Sequence, residues 1–355
     1  MGTVESKIKV SIGLIAGGLF LFIIQDEPNG GSVTGISNMG NTCFLNAILQ
    51  ALSACDSFTK FLFALKPVQK NYEDYDALIV IELSNFLRSL TQGKNTNPED
   101  LISALSNRFP YFGQQHDSHE IFYVIHEAMA TIKKRSENSF IFDPAPENPL
   151  LGLMSTEIKC TKCLNKTTKF DSIFDISLIV SNSLCESFDY LHKPQVLEDF
   201  LCLKCSINSS IHAIRSMKST QMLNEILKKY TNNPNNVEEK DLVKTTKTLA
   251  TISNRICKFP ILLFIHCKWL VSHSSGHIHK KREPMKFPHI FEVEKGRYTL
   301  KAVIEHIGGS MGGHYLTYKD FEGEWYQCSD LAVRKVTVQE VLMAQPYMLF
   351  YQLTR

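Results

Sequence analysis

Apolar positions recur at helical spacing in three parts of the chain. Phe44, Leu45, Ile48, Leu49 and Leu52 follow Cys43 at steps of three and four, which predicts a helix starting at or near that cysteine. Ile121, Phe122, Val124, Ile125 and Met129 predict a second helix, opened by the polar run 114–120. Met222, Leu223, Ile226, Leu227 and Tyr230 predict a short amphipathic third. The asparagine- and proline-rich residues 232–236 predict a turn after it, and residues 237–249 a further helical stretch. The run RICKFPILLFIHCKW (255–269) reads as buried strand. Residues 315–318 read as a strand behind a loop carrying Gly308, Gly309, Gly312 and Gly313.

One apolar run fits neither period. Residues 10–24 (VSIGLIAGGLFLFII) are bounded by Lys7 and Lys9 on one side and by Asp26, Glu27 and Pro28 on the other. Fifteen residues fall short of the roughly 20 needed to span a bilayer. A snorkelling Lys9 makes the run adequate for a thin membrane, and Gly13 and Gly17 form a GxxxG. Residues 1–31 are therefore expected to be a membrane anchor with a helix and a short linker. A secretory signal has the same apolar length, but no A-x-A-like site follows.

Composition narrows the class. A chain of 355 residues with 44% hydrophobic residues holds one large globular domain or two small ones. A net charge of +2 leaves no nucleic-acid footprint. Ten cysteines include two CxxC pairs, Cys160/Cys163 and Cys202/Cys205, each expected between extended runs. Four thiolates so spaced predict a closed tetrahedral structural zinc site rather than disulfides.

The remaining chemistry lies at both ends of the apolar core. A cysteine at a helix N-terminus sits where unpaired N–H groups favour an anion, and the thiolate is the nucleophilic form. The alternative is a buried structural thiol. Asn38, in the turn before Cys43, is placed to donate to an oxyanion. His314 stands between glycines and a strand; a general-base histidine needs an orienting group on its other nitrogen. The alternative is a Cys–His dyad without such a partner. His289 and His306 read as ordinary surface histidines. Asp117 and Glu120 share a helix face, either as a cap or as a site for a basic ligand.

The runs GISNMGNTCFLNAILQALSAC (35–55) and HIGGSMGGHYLTY (306–318) resemble the Cys and His boxes of papain-like thiol proteases, and more narrowly the ubiquitin-specific protease family. The resemblance extends from Gly35 to the C-terminus. It includes a Q-x-D-x-[QH]-E box (Gln115, Asp117, Glu120) and a closing strand YMLFYQ (347–352). It implies an α+β fold, with a thumb (about 32–150), zinc-bearing fingers (about 151–254) and a palm (about 255–355). It implies hydrolysis of isopeptide bonds at the C-terminus of ubiquitin, with Cys43 as nucleophile, His314 as base and Asn38 in the oxyanion hole. Gln115, Asp117, Glu120 and Gly313 would hold the ubiquitin tail. At the third catalytic position the family usually carries Asp or Asn; here Ser329 stands there, with Asp330 beside it. An N-terminal anchor together with that serine resembles the family's mitochondrial outer-membrane member. This implies a catalytic domain facing the cytosol, ubiquitinated membrane proteins as partners, opposition to mitophagy and a preference for chains through the lysine nearest ubiquitin's N-terminus. The rival readings are an inactive membrane-tethered ubiquitin-binding scaffold and a protease for another ubiquitin-like modifier.

Overall fold

The computed structural model describes residues 9–15, 18–24, 33–65, 74–94, 97–110, 112–137, 147–217, 220–232, 238–272, 278–280, 284–309 and 312–354. The run expected as a membrane helix is instead an antiparallel hairpin, β1 (Lys9–Ile15) with β2 (Gly18–Ile24), in register from Lys9 opposite Ile24 to Ile15 opposite Gly18. The local sequence explains this. Val10, Ile12, Ile15, Phe20, Phe22, Ile23 and Ile24 are β-formers, and each interior glycine costs a helix about 1 kcal/mol relative to alanine. Among the described residues, no helix is long and apolar enough to cross a membrane.

Five helices come next: α1 (Cys43–Ser53), α2 (Asp56–Ala64), α3 (Tyr75–Thr91), α4 (Glu99–Ser106) and α5 (Ser118–Glu137). Both helices predicted in this half exist, and α1 starts at the predicted residue. Every residue from Cys43 to Leu52 is buried, so α1 is the central helix of this layer.

The next stretch interleaves two sheets. β3 (Gly152–Cys160), β4 (Lys166–Ile173), β6 (Gln195–Leu201) and β7 (Lys247–Lys258) form a four-stranded antiparallel sheet in the order β4-β3-β7-β6. Between them, β5 (Ile176–Ile179) leaves to pair in parallel with β8 (Leu262–Lys268) of the larger sheet, and α6 (Leu184–His192) follows it. The expected fingers segment 151–254 is thus not one block in space, because β5 lies within it but belongs to the palm. α7 (Leu203–Ser216) and α8 (Thr220–Asn232) project between β6 and β7. The predicted amphipathic helix is α8, with Ile226 as its buried residue. The further helix expected over 237–249 is not formed: a short 3-10 turn at Glu239–Asp241 gives way to β7, whose central residues pair on both sides. Residues 233–236 of the predicted turn, and residue 237 of the predicted helix, lie outside the described residues.

β9 (Leu270–Ser272) and β10 (Ile278–Lys280) make a small hairpin. The remaining strands are β11 (Ile290–Val293), β12 (Gly296–Gly309), β13 (Gly312–Phe321), β14 (Glu324–Ser329), β15 (Ala332–Val336) and, after the short helix α9 (Val338–Leu342), β16 (Pro346–Thr354). With β5 and β8 they build an eight-stranded sheet in the order β15-β14-β13-β12-β16-β8-β5, with β11 also on β12.

This sheet is buried on both faces, and its alternation sorts the core in two. Leu262, Phe264, Ala302, Ile304, Met348 and Phe350 face the α1–α5 layer. Leu263, Ile265, Leu300, Val303, Leu349 and Tyr351 face the other way, toward Phe188 and Val341. Two buried faces explain why 255–269 and 347–352 read as continuous apolar runs. Polar clamps then fix α1 in place. Ser118 Oγ donates to the Phe44 carbonyl (2.7 Å), Thr317 Oγ1 to the Ala47 carbonyl (2.8 Å) and Lys319 Nζ to Ser53 Oγ (3.0 Å).

Candidate active site

The turn before α1 is built around Asn38. Its Oδ1 accepts from the backbone N–H groups of Gly40 (3.0 Å) and Thr42 (3.1 Å), while Thr42 Oγ1 accepts from Met39 N–H (2.9 Å). The chain reverses through Gly40 (φ 94°) and Asn41 (φ 56°). This left-handed pair is why glycine and asparagine stand there. Because two backbone donors take Oδ1, Nδ2 must face the other way, and it donates to Asp330 Oδ2 (2.9 Å). Asp330 Oδ1 accepts from Asn46 Nδ2 (2.7 Å), and the Asp330 carbonyl accepts from Ile36 N–H (2.9 Å).

Both carboxylate oxygens of Asp330 thus face asparagine amides. Asp330 pins the Asn38 turn and α1 to the β14–β15 corner, where its own backbone is left-handed (φ 49°). One N–H of Asn38 is used in this way, and the amide's second N–H is the donor left for an oxyanion. Asn46 lies inside the 35–55 run, but nothing in its spacing indicated that it shares the Asp330 carboxylate.

Ser329 is the residue placed against the imidazole. His314 Nε2 lies 2.8 Å from Ser329 Oγ, leaving Nδ1 as the nitrogen free to serve a thiol. Cys43 is buried, and its sulfur meets the backbone N–H of Tyr315, the residue after His314, together with those of Phe44 and Cys43 itself. Burial pushes the thiol pKa up and the Asp330 charge adds to the rise; the three N–H groups pull it down but do not win.

A cleft of about 570 Å³ opens beside Cys43. Its walls include Gln115, His116 and Asp117 on one side, Gly312, Gly313 and His306 on another, and His266, Trp269, Tyr315 and Tyr347 along the floor. Gln115 Oε1 accepts from Gly313 N–H (3.0 Å), joining the two walls. Gly313 must be glycine, because a Cβ there would lie 2.6 Å from the Ile307 carbonyl oxygen of the neighbouring strand and would also press on the His306 ring. His306, read as an ordinary surface histidine, is a cleft residue packed on Tyr315 with ring centroids 4.5 Å apart.

Asp117 accepts from the Tyr347 hydroxyl and from His119 N–H. Behind it His119 stacks on His266 at 4.1 Å and reaches Asp175 (3.1 Å). Burial and the neighbouring His119 hold His266 down at about 4, so it stays neutral at physiological pH. Glu120 is exposed on the next helical residue but one and is not among the cleft-lining residues. An acid beside buried tyrosines and a neutral histidine suits a ligand that is extended, carries a basic group and narrows to small residues at Cys43.

The sequence profile described as "Ubiquitin carboxyl-terminal hydrolase" matches residues 34–351. The chain belongs to that family. Ubiquitin carboxyl-terminal hydrolase 25 of Arabidopsis thaliana is 26% identical over 93% of this chain and 48% of its own length. Ubiquitin carboxyl-terminal hydrolase 3 of Homo sapiens is 26% identical over 90% and 67%. The chain thus spans about half the length of the first of these relatives. Among solved structures, a SAGA Ubp8/Sgf11/Sus1/Sgf73 module bound to ubiquitin aldehyde superposes with a TM-score of 0.68 at 21% identity, over 91% of this chain and 70% of that one. At that identity the likeness establishes the fold, an α+β catalytic domain in which the helical thumb packs on the palm sheet.

The four cysteines of the CxxC pairs converge at one end of the β4-β3-β7-β6 sheet, with all four sulfurs within 4.8 Å of one another. Cys160 Sγ is 3.8 Å from Cys205 Sγ, and Cys163 Sγ is 3.5 Å from Cys202 Sγ. A tetrahedron with metal–sulfur bonds of about 2.3 Å has sulfur–sulfur edges of about 3.8 Å, so the donor set fits a metal ion. One expectation fails locally. The second pair does not lie between strands; Cys202 precedes α7 and Cys205 sits in its first turn.

Proposed function

We propose that the chain is a thiol deubiquitinase that hydrolyses isopeptide bonds at the C-terminus of ubiquitin. The observation that carries this reading is the Cys43 thiol at the α1 N-terminus, against the residue next to a histidine whose far nitrogen is held by Ser329. The cleft takes the ubiquitin tail, with Asp117 facing its basic residues and Gly312 and Gly313 leaving room for its terminal glycines. His314 Nδ1 removes the thiol proton as sulfur attacks the terminal glycine carbonyl, and the oxygen moves toward Asn38 Nδ2 and the N-terminal amides of α1. The C–N bond then breaks, and the proton held by His314 passes to the departing lysine amine. Water, deprotonated by the same imidazole, cleaves the thioester and restores the thiol.

The test is covalent capture by ubiquitin bearing a C-terminal electrophile, read by intact mass. One adduct per chain is expected, absent from a Cys43→Ala control. No adduct from folded protein would favour the scaffold, and capture by another modifier instead would redirect the substrate.

Zinc is the metal proposed for the four cysteines, on the strength of an all-thiolate tetrahedral donor set. Its role is to hold the β3–β4 turn, β6 and α7 together. Stripping it with a chelator is expected to lower Tm by about 10 °C or more. Alkylation of Cys43 by a small reagent should persist, because the thumb and palm cores contain none of the four ligands. Metal analysis finding no zinc in protein of unchanged Tm would refute the assignment.

The finer reading is action at the mitochondrial outer membrane on ubiquitinated membrane proteins, opposing mitophagy, with preference for chains through the lysine nearest ubiquitin's N-terminus. It is supported by the apolar, basic-flanked run 10–24 and by serine at 329. Fractionation of the full chain in cells tests it, and recovery away from mitochondria would overturn it.

A further inference from the structure

We infer that His266 is a specificity-determining residue of the cleft, offering Nε2 as a hydrogen-bond acceptor to an N–H donor of the incoming ubiquitin tail, and that Ser177 and Asp175 position it for that role. This rests on the hydrolase reading above and names one contact within it. His266 lies on β8 and lines the cleft with Asp117 and Tyr347. The three are joined by direct contacts. The Tyr347 hydroxyl donates to Asp117, and its ring packs against that of His266 with centroids 5.1 Å apart. His119 gives its backbone N–H to the same Asp117 carboxylate and stacks its ring on His266.

Behind the cleft, β5 pairs in parallel with β8 and sets Ser177 directly opposite His266. Ser177 Oγ lies 3.2 Å from His266 Nδ1 and 3.4 Å from Asp175 Oδ2. A hydroxyl has one proton to give, and these two neighbours compete for it. Burial raises the Asp175 carboxyl, but the His119 side chain at 3.1 Å outweighs burial and holds it below the usual carboxylate range, so it is ionised. Burial and the His119 ring keep the His266 imidazole neutral. An ionised carboxylate can only accept, whereas a neutral imidazole can donate. The serine proton therefore goes to Asp175, and His266 Nδ1–H donates to the serine oxygen. That order fixes the tautomer and leaves the lone pair on Nε2. Nε2 has no hydrogen-bond partner among the described residues. The tail that passes Asp117 on its way to Cys43 brings two sources of N–H within reach of it, main-chain amides and the side chains of basic residues. A site built around such an acceptor discriminates against a ligand that lacks the donor.

The test is steady-state hydrolysis of a ubiquitin conjugate by the full chain, with ubiquitin affinity measured in the Cys43→Ala background. His266→Phe keeps a ring to stack on His119 but has no acceptor; it is expected to raise KM and Kd about tenfold, with the loss in KM rather than in kcat. His266→Gln places an amide oxygen near the position of Nε2 and should recover most of that loss. Ser177→Ala keeps the imidazole but frees Nδ1, so the proton is shared with Nε2 and KM is expected to rise about threefold; Ser177→Thr restores the hydroxyl and should recover it. A ubiquitin whose tail arginines are replaced by alanine identifies the donor: the His266→Phe penalty vanishes on that tail for a guanidinium and persists for a main-chain amide, and either result supports the contact. A wild-type KM in His266→Phe, a loss confined to kcat, or a His266→Gln variant no better than His266→Phe would overturn the inference alone. Failure of the wild-type chain to cleave any ubiquitin conjugate would sink the hydrolase reading and the contact with it.

Discussion

Cys43→Ala is expected to reduce cleavage of ubiquitin conjugates to background, a loss of about 10⁵ to 10⁶ in kcat, while ubiquitin still binds. The size follows from the nucleophile's place in a unit: with sulfur gone, neither His314 nor the Asn38 amide has a bond-making event to assist, and losses of this order accompany removal of one member of such a unit. Binding survives because the tail is held by other groups. Gln115, Asp117, His306 and Tyr347 keep their partners, and Asp117 and Gln115 are tied to Tyr347 and Gly313 rather than to the thiol. Stability should change little, since alanine removes one atom from a site that stays 5% exposed. Calorimetric titration with ubiquitin beside a turnover assay checks both halves. Residual hydrolysis within tenfold of wild type would mean another nucleophile, and loss of binding would mean that Cys43 supports the cleft.

Asp330→Asn is expected to slow turnover by about 10²-fold, against about tenfold for Ser329→Ala. This ordering inverts the one suggested by the histidine's nearest neighbour. Ser329 makes a single neutral hydrogen bond to His314, worth about 1.4 kcal/mol or less, which is a factor of about ten. Asp330 serves two amides at once, Asn38 at 2.9 Å and Asn46 at 2.7 Å. An asparagine offers one acceptor oxygen where two are needed, so Asn38 is freed to swing. Loss of a single oxyanion donor typically costs 10² to 10³ in kcat. Asparagine is the chosen replacement because position 330 is left-handed (φ 49°), where alanine would add backbone strain.

A second readout separates positioning from simple damage. The Asp330 charge raises the Cys43 pKa, so its removal should move the pH midpoint of Cys43 alkylation downward even as hydrolysis falls. Ser329→Ala carries no charge change and should leave that midpoint in place. An unmoved midpoint in Asp330→Asn, or a Ser329→Ala loss larger than that of Asp330→Asn, would return the supporting role to the histidine side.

Much of this architecture was readable from residue order alone. The helix behind Cys43, the helix after Asp117 and the doubly buried palm strands are local consequences of apolar periodicity, which survives folding because each such face must be covered. The two CxxC pairs named their own chemistry, since four thiolates rarely gather otherwise. Two local readings failed for a shared reason. Residues 10–24 and 247–249 are apolar or amphipathic enough for a helix, but their β-branched content lets strand pairing win where a partner strand exists. For β7 one such partner is β3, with Cys160 opposite Ala250 and Leu153 opposite Lys258, a separation that no local window includes.

What only the tertiary structure decided is who holds whom. Ser329 and Asp330 are adjacent in sequence, so periodicity could not tell them apart; a left-handed backbone at 330 turns one toward His314 and the other toward Asn38 and Asn46, almost 300 residues away. His306 looked like any surface histidine until strand register set it over Gly313. Sequence determines the chemistry each residue can perform, because that depends on its own atoms and near neighbours. Contact between distant residues depends on register, turn handedness and packing of the whole sheet, and these are settled only when the chain closes on itself.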